Sequence, residues 1–216
     1  MMKVYGPAGY KVIQVTDAVS WTVQESQAHF EDFTHNISMA IGSWSSAGQS
    51  LEELAGAAGL LTDRGAAAGR IGFWLRGVMD AMIKPSKQAA EAINQIGLQV
   101  YDASGKMLPF SNILAQVKEK TKDMTKEQRD NLLVTIWGTR AGSAMRLMVG
   151  ATTEQIEKYS NMAEKAKGLG LMYRSFDDDI EKYSIFQAIL PLYEDEHTSA
   201  SLFFIYKLKL EDEDDC

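Results

Sequence analysis

The chain has 216 residues, 45% of them hydrophobic, one cysteine and a formal net charge of −7. That length supports one good hydrophobic core, or one core with an appendage, without requiring a second full domain. The lone Cys216 excludes an internal disulfide and a multi-cysteine metal site, and no basic stripe with interleaved aromatics argues for sequence-specific nucleic-acid binding.

Seventeen Gly and eleven Met against only four Pro, with repeated charged helix formers, indicate a mainly α fold. The expected architecture is a compact multi-helix domain with one small β-hairpin near residues 98–108 and a possible short C-terminal strand. Residues 1–9 read as irregular, with Gly6-Pro7 as a turn. Val12, Val15, Val19 and Val23, followed by Phe30, Phe33, Ile37 and Ile41, recur at helical spacing and describe one long helix or two consecutive ones. The segment Gly42 to Gly48 breaks the pattern and is expected to be a connector.

Ser50-Leu51-Glu52-Glu53 has the form of a capping box, with Glu53 reaching back to the Ser50 N–H. The helix it opens should bury Leu51, Leu54, Ala55, Ala58 and Leu61 and close at Asp63-Arg64-Gly65, with Gly65 just past the end. The clearest amphipathic run follows: Ile71, Trp74, Leu75, Val78, Met79 and Met82 should line the main core. Lys84-Pro85-Ser86 stops that helix and caps another over 87–96, with Ala89, Ala92, Ile93 and Ile96 inward.

Period-two hydrophobicity then briefly replaces the helical pattern. Leu98 and Val100, then Met107 and Leu108, flank Asp102-Ala103-Ser104-Gly105, where an Asx-type turn and a glycine at positive φ can reverse the chain. Pro109 should end the second strand and Ser111 should cap a helix to Lys122. Thr125 to Gln128 forms a second capping box before Leu132, Leu133, Ile136 and Trp137, and Gly138-Thr139 interrupts that helix. A short helix over 141–149 follows, and Thr153 is expected to cap a last one through Lys167, with Ile156, Tyr159 and Ala163 on one face. Gly168-Leu169-Gly170 reads as a hinge, dividing a helical domain at 1–167 from an acidic appendage at 168–216. In that appendage Ala200 to Leu210 is rich in β-formers.

The acidity is concentrated there. From Ser175 to Cys216 twelve acids stand against Lys182, Lys207 and Lys209, a net of −9 within a total of −7, so the body is near neutral. Cys216 follows five acids, which raise a thiol's pKa and argue against a reactive thiolate. The N-terminus has no apolar run long enough for a signal peptide. Phe33 to Leu51 is uncharged but too polar for a stable membrane span, so a soluble chain made in the cytoplasm is expected.

No catalytic, cofactor-binding or metal-ligating residue emerges. His29 and His35, six apart, point to different faces of a helix, and His197 has no partner at ligand spacing. Asp177-Asp178-Asp179-Ile180-Glu181 lacks the alternation and sixth-position glycine of a calcium loop. Gly65, Gly69 and Gly72 lie between helices and suit close packing better than a phosphate loop. The expectation is a protein that is not an enzyme.

The order of these pieces is itself informative. SLEELAGAAGLLTDRG, then Leu75-Arg76, then Lys84-Pro85-Ser86-Lys87-Gln88-Ala89-Ala90-Glu91-Ala92, then IGLQVYDASGKMLPFSNILAQV and MTKEQRDNLLVTIWGTRAGSAM together resemble the phage tail tape-measure protein core family. The resemblance runs from about residue 12 to 167. Bulky Phe73 and Trp74 stand where small residues are common in that family. The resemblance implies a structural module, located in the virion tail after synthesis in the host cytoplasm, that helps set tail length or assemble the tail. Its partners would be itself, as a homo-oligomer, and the tail tube protein or a tail assembly chaperone. Even a fully helical chain of this length would span only about 320 Å at 1.5 Å per residue. Three origins stay open: an excised module of a larger protein, a ruler for a very short tube, or a remnant gene. The competing class is a stand-alone adaptor or regulator using the acidic tail and the Leu202-Phe203-Phe204-Ile205 strand to bind a partner by edge addition.

Overall fold

Hydrophobic spacing resolves into eight helices in the computed structural model, which describes the backbone of residues 12–160 and the side chains from residue 14 onward. They are α1 (Val12–Glu25), α2 (Phe30–Ser46), α3 (Leu51–Asp63), α4 (Ala68–Ile83), α5 (Lys87–Gln95), α6 (Phe110–Lys120), α7 (Lys126–Val149) and α8 (Thr153–Ser160). The mainly α expectation is met. The hinge, the acidic appendage with its strand, His197 and Cys216 lie outside the described residues.

Two helices organise the packing. α4 lies between α2 and α7, while α3 touches α1, α2, α4, α7 and α8. Of the six core positions read on α4, Ile71, Leu75, Val78, Met79 and Met82 are buried and Trp74 is half-buried. The α2–α4 crossing is close because Gly72 has no side chain: a Cβ there would stand 2.7 Å from the Asn36 carbonyl oxygen. The buried Asn36 fills the crossing by accepting the Gly72 N–H at 3.0 Å.

The supposed connector at Gly42 to Gly48 is helix as far as Ser46. Trp44 continues the stripe of Phe33, Ile37 and Ala40, is fully buried, and donates its indole N–H to the Leu75 carbonyl at 2.9 Å. Its ring meets Phe110 edge-on at 5.0 Å. That burial outweighs the weak helix preference of the surrounding Gly and Ser. The turn comes later, at Gly48, with φ +73.

The expected hairpin is also corrected. The chain does reverse: the Asp102 carboxylate accepts from the Ser104 and Lys106 N–H groups at 2.8 and 3.0 Å, and Gly105 has φ +81. A single Tyr101–Met107 bridge closes the turn, however, and no strand forms among the described residues. Leu98, Val100 and Met107 alternate because they are buried in the helical core, not because a ladder holds them.

Helix ends follow local chemistry in most places. Gly65 N–H donates to the Thr62 carbonyl and Ala66 N–H to Leu61, closing α3 in a Schellman arrangement with Gly65 at φ +76. Ser86 caps α5, and Thr125 with Gln128 forms the full capping box of α7. Gly138 kinks α7 into two consecutive helical segments at φ +74, ψ 173, a conformation essentially restricted to glycine. The cap of α8 is Thr152, not Thr153, paired reciprocally with Gln155 at 3.0 and 3.1 Å.

Candidate functional site

The polar groups of the body are placed at helix junctions. At the first junction Ser50 caps α3 as expected, accepting the Glu53 N–H at 3.1 Å. Glu53 does not reach back to complete a box. Its carboxylate accepts the Ser111 N–H at 2.8 Å and the Ser111 hydroxyl at 2.6 Å, while the Gln49 amide oxygen accepts the Phe110 N–H at 2.8 Å. The expected cap Ser111 therefore sits inside α6, Pro109 holds the cap position, and the first free amides of α6 are satisfied by side chains from the start of α3. Burial raises the Glu53 carboxyl above its ordinary value, and the two bonds from Ser111 oppose that shift without cancelling it.

At the second junction Tyr159 of α8 packs on the glycines of α3. A Cβ on Gly56 would lie 2.8 Å from the Tyr159 carbonyl oxygen, and one on Gly59 would lie 2.6 Å from its ring. The ring meets Trp21 edge-on at 6.1 Å, and its hydroxyl donates to Asp63 at 2.6 Å. Asp63 also accepts the Gln27 N–H at 3.2 Å and lies 3.6 Å from the Lys158 ammonium, which donates in turn to the Glu25 carbonyl. Burial first, and then the bond and charge of Asp63, push the Tyr159 phenol upward. This clasp joins the ends of α1 and α3 to α8.

Between these junctions α3, α6 and α8 border a shallow open groove with room for about one water-sized molecule. Gly56, Ala57 and Leu60 of α3, Leu114 of α6 and Ile156 of α8 line it, and the Glu53–Ser111 pair borders it. A drug-sized or cofactor-sized site usually measures about 300–1,000 Å³, and this groove is far smaller. On the outer face of α4, Phe73 is 62% exposed. Ile83 and Tyr101 are also exposed, the latter donating its hydroxyl to the Met82 carbonyl at 3.3 Å.

The histidines set aside in the sequence, His29 and His35, are exposed, and no group of three potential metal ligands occurs among the described residues. Of Gly65, Gly69 and Gly72, only Gly72 mediates a close helix approach; Gly65 serves a turn and Gly69 faces open space. No described helix is long and apolar enough to cross a membrane. The groove and its Glu53–Ser111 border were not apparent in the sequence, because the partners lie 58 residues apart.

The described residues thus form a helical body joined by cross-capped junctions, with a shallow apolar groove and an exposed aromatic. The chain belongs to the phage-related minor tail protein family, whose model matches residues 1–138. It is 28% identical over 167 residues to the tape measure protein of Pneumococcus phage Dp-1, covering 77% of this chain and 14% of that protein. It is likewise 28% identical over 162 residues to the probable tape measure protein of Escherichia phage P2, covering 73% of this chain and 20% of that protein. The chain thus spans between a seventh and a fifth of the length of these relatives. No solved structure matches it.

Proposed function

We propose that this chain is a tape-measure-type component of a phage tail, working by contact in tail assembly and length determination and not by catalysis. The similarity to two tape measure proteins over about three quarters of the chain carries this reading. The fold refines it. The longest helical stretch among the described residues, α7, has 24 residues and is kinked at Gly138, so it reaches less than the roughly 36 Å that 1.5 Å per residue would give. A body folded back on itself in this way serves as an assembly module that binds copies of itself and the tail tube protein or an assembly chaperone. Its contribution to tail length would come through these assembly contacts and not through its own extension. The site of action is the virion tail, following synthesis in the host cytoplasm.

The test is an in-frame deletion of residues 51–160 in the producing phage or prophage, with tails imaged by electron microscopy and wild-type tails analysed by mass spectrometry. Peptides of this chain should be found in purified tails, and the deletion should abolish tail assembly. Absence of the chain from purified tails would overturn the tail reading. Normal assembly of tails shortened by about 1.5 Å per deleted residue would show instead that this body itself counts toward length.

A further inference from the structure

Thr125 and Gln128 cap the start of α7 and Gly150 its end, and Gly138 is the one residue between them whose backbone is not helical. That residue does more than bend the helix. A Cβ on Gly142 would stand 3.1 Å from the Leu133 carbonyl oxygen and 3.3 Å from the Val134 Cα, whereas nine positions of unbroken helix separate two residues by about 13.5 Å. The second segment is therefore folded back on the first, and the missing side chain of Gly142 permits the contact. Closure has a cost: the buried Trp137 indole N–H, next to the corner in sequence, has no hydrogen-bond partner among the described residues. The apolar pattern, by contrast, runs straight through the corner. Wound as one helix at about 100° per residue, residues 133–148 place Leu133, Ile136, Trp137, Ala144, Met145 and Met148 on one half of the circumference, and Thr135, Gly138, Thr139, Gly142, Ser143 and Arg146 on the other. Only Arg140, exposed at the corner, interrupts the apolar half. Two helices joined by an ordinary turn have no reason to share one phase in this way.

We propose that Gly138 is a built-in switch between the folded-back α7 of this body and a single continuous 24-residue helix. Only one residue has to change, from φ +74, ψ 173 to helical values, because every other residue of α7 is helical already. In the closed form the apolar stripe is divided between the two segments and buried, with α7 packed on α4 and α5. Opening joins the two parts into one amphipathic helix with an unbroken apolar face. It lifts Gly142 off the Leu133 backbone and frees the Trp137 N–H, and in exchange it gives up the packing on α4 and α5. Two packings of one sequence that differ at a single hinge residue are a recognised form of bistable element. What the switch changes is surface and not reach: the closed corner withholds an apolar helix face that the open form presents. The switch goes beyond the tail-assembly reading and is a property of the isolated chain, so it stands or falls apart from tail membership.

The experiment measures one distance by double electron–electron resonance on the full 216-residue chain, with Cys216→Ser removing the native thiol and Glu127→Cys and Arg146→Cys supplying the label sites. A straight α7 separates these two positions by about 28 Å along its axis, and the folded-back form holds them closer. Gly138→Ala is the first perturbation. A Cβ there meets nothing within 4 Å, so its effect comes from a corner backbone that alanine does not adopt. Gly142→Leu is the second: it leaves Gly138 alone, wedges the two segments apart at Leu133, and favours helix. The labelled parent should show the shorter distance, and each substitution should raise the long population relative to the short one by about tenfold or more, with helical circular dichroism retained. Gly42→Ala, which meets open space in α2, should leave the distribution unchanged. Either substitution leaving the short distance in place overturns the switch, and so does loss of helical circular dichroism without a long population, because Gly138 is then a fixed corner of a single native fold. A parent already at the long distance overturns it too, since no closed form would exist to open.

Discussion

Glu53 shows how one side chain can be locally readable and globally misread. Its spacing from Ser50 identifies a helix start, and Ser50 does cap that helix, but the carboxylate turns away to Ser111. A local rule assigns the acid to the nearest free amide. The fold offers it two donors at the start of another helix, and a carboxylate there also complements the α6 dipole. Glu53→Ala leaves the Ser111 amide without this acceptor and should cost about 1–3 kcal/mol in urea denaturation, with Glu53→Gln costing less because an amide oxygen still accepts. The pH dependence has a defined sign. The folded-state value is raised, so the native chain holds the proton more tightly than the unfolded chain, and the stability due to this group grows as pH falls from its folded value toward the ordinary 4.5. Above that window the ionised, buried acid is a net cost. Urea midpoints of wild type and Glu53→Gln measured from neutral pH down to about 4.5 should therefore shift in favour of the wild type on acidification. A gap between them that ignores pH would remove this account.

Among the elements, α2 and the turn at Asp102 mark the limits of periodicity. The stripes of α3, α4 and α5 were legible because their apolar spacing, caps and stops agree. The end of α2 was not legible, since Gly42 and three serines suggest a break and only the distant Leu75 carbonyl explains why Trp44 holds the helix. At residues 98–108 the turn chemistry was legible down to the roles of Asp102 and Gly105, while the alternation mistaken for two strands reflects burial against helices. Gly138 was correctly visible as an interruption because nothing else in that segment disfavours helix. The glycines within helices separate by what surrounds them. Gly59→Ala would place a methyl 2.6 Å from Tyr159 and 2.7 Å from Thr22, and should destabilise by about 1–3 kcal/mol through overpacking. Gly42→Ala meets open space in the middle of α2 and should stabilise by about 0.5–1 kcal/mol through helix propensity. Thermal melts of the two variants should move in opposite directions. Movement in the same direction would contradict the packing described.

Across the whole molecule, stability is unevenly distributed. α4 is held by α2 on one side and α7 on the other, whereas the described part of α8 buries Ile156 and Tyr159 and depends on the clasp of Asp63, Tyr159, Lys158 and Glu25. Amide hydrogen exchange should show lower protection in α8 than in α4. Tyr159→Phe, which removes the bond to Asp63, should reduce α8 protection by a further factor of about five to ten, equivalent to about 1 kcal/mol, and leave α4 unchanged. Equal loss in both helices would mean that α8 opens only with the whole body. The cross-capping of α6 extends this unevenness into time. Its first amides depend on Gln49 and Glu53, roughly sixty positions earlier in the chain, so the start of α6 cannot be completed until a long loop has closed. A cap of that kind belongs to the late side of the folding barrier. Its loss would leave the folding rate nearly untouched and shorten the lifetime of the folded body, making the α3–α6 junction a determinant of how long the protein endures once formed.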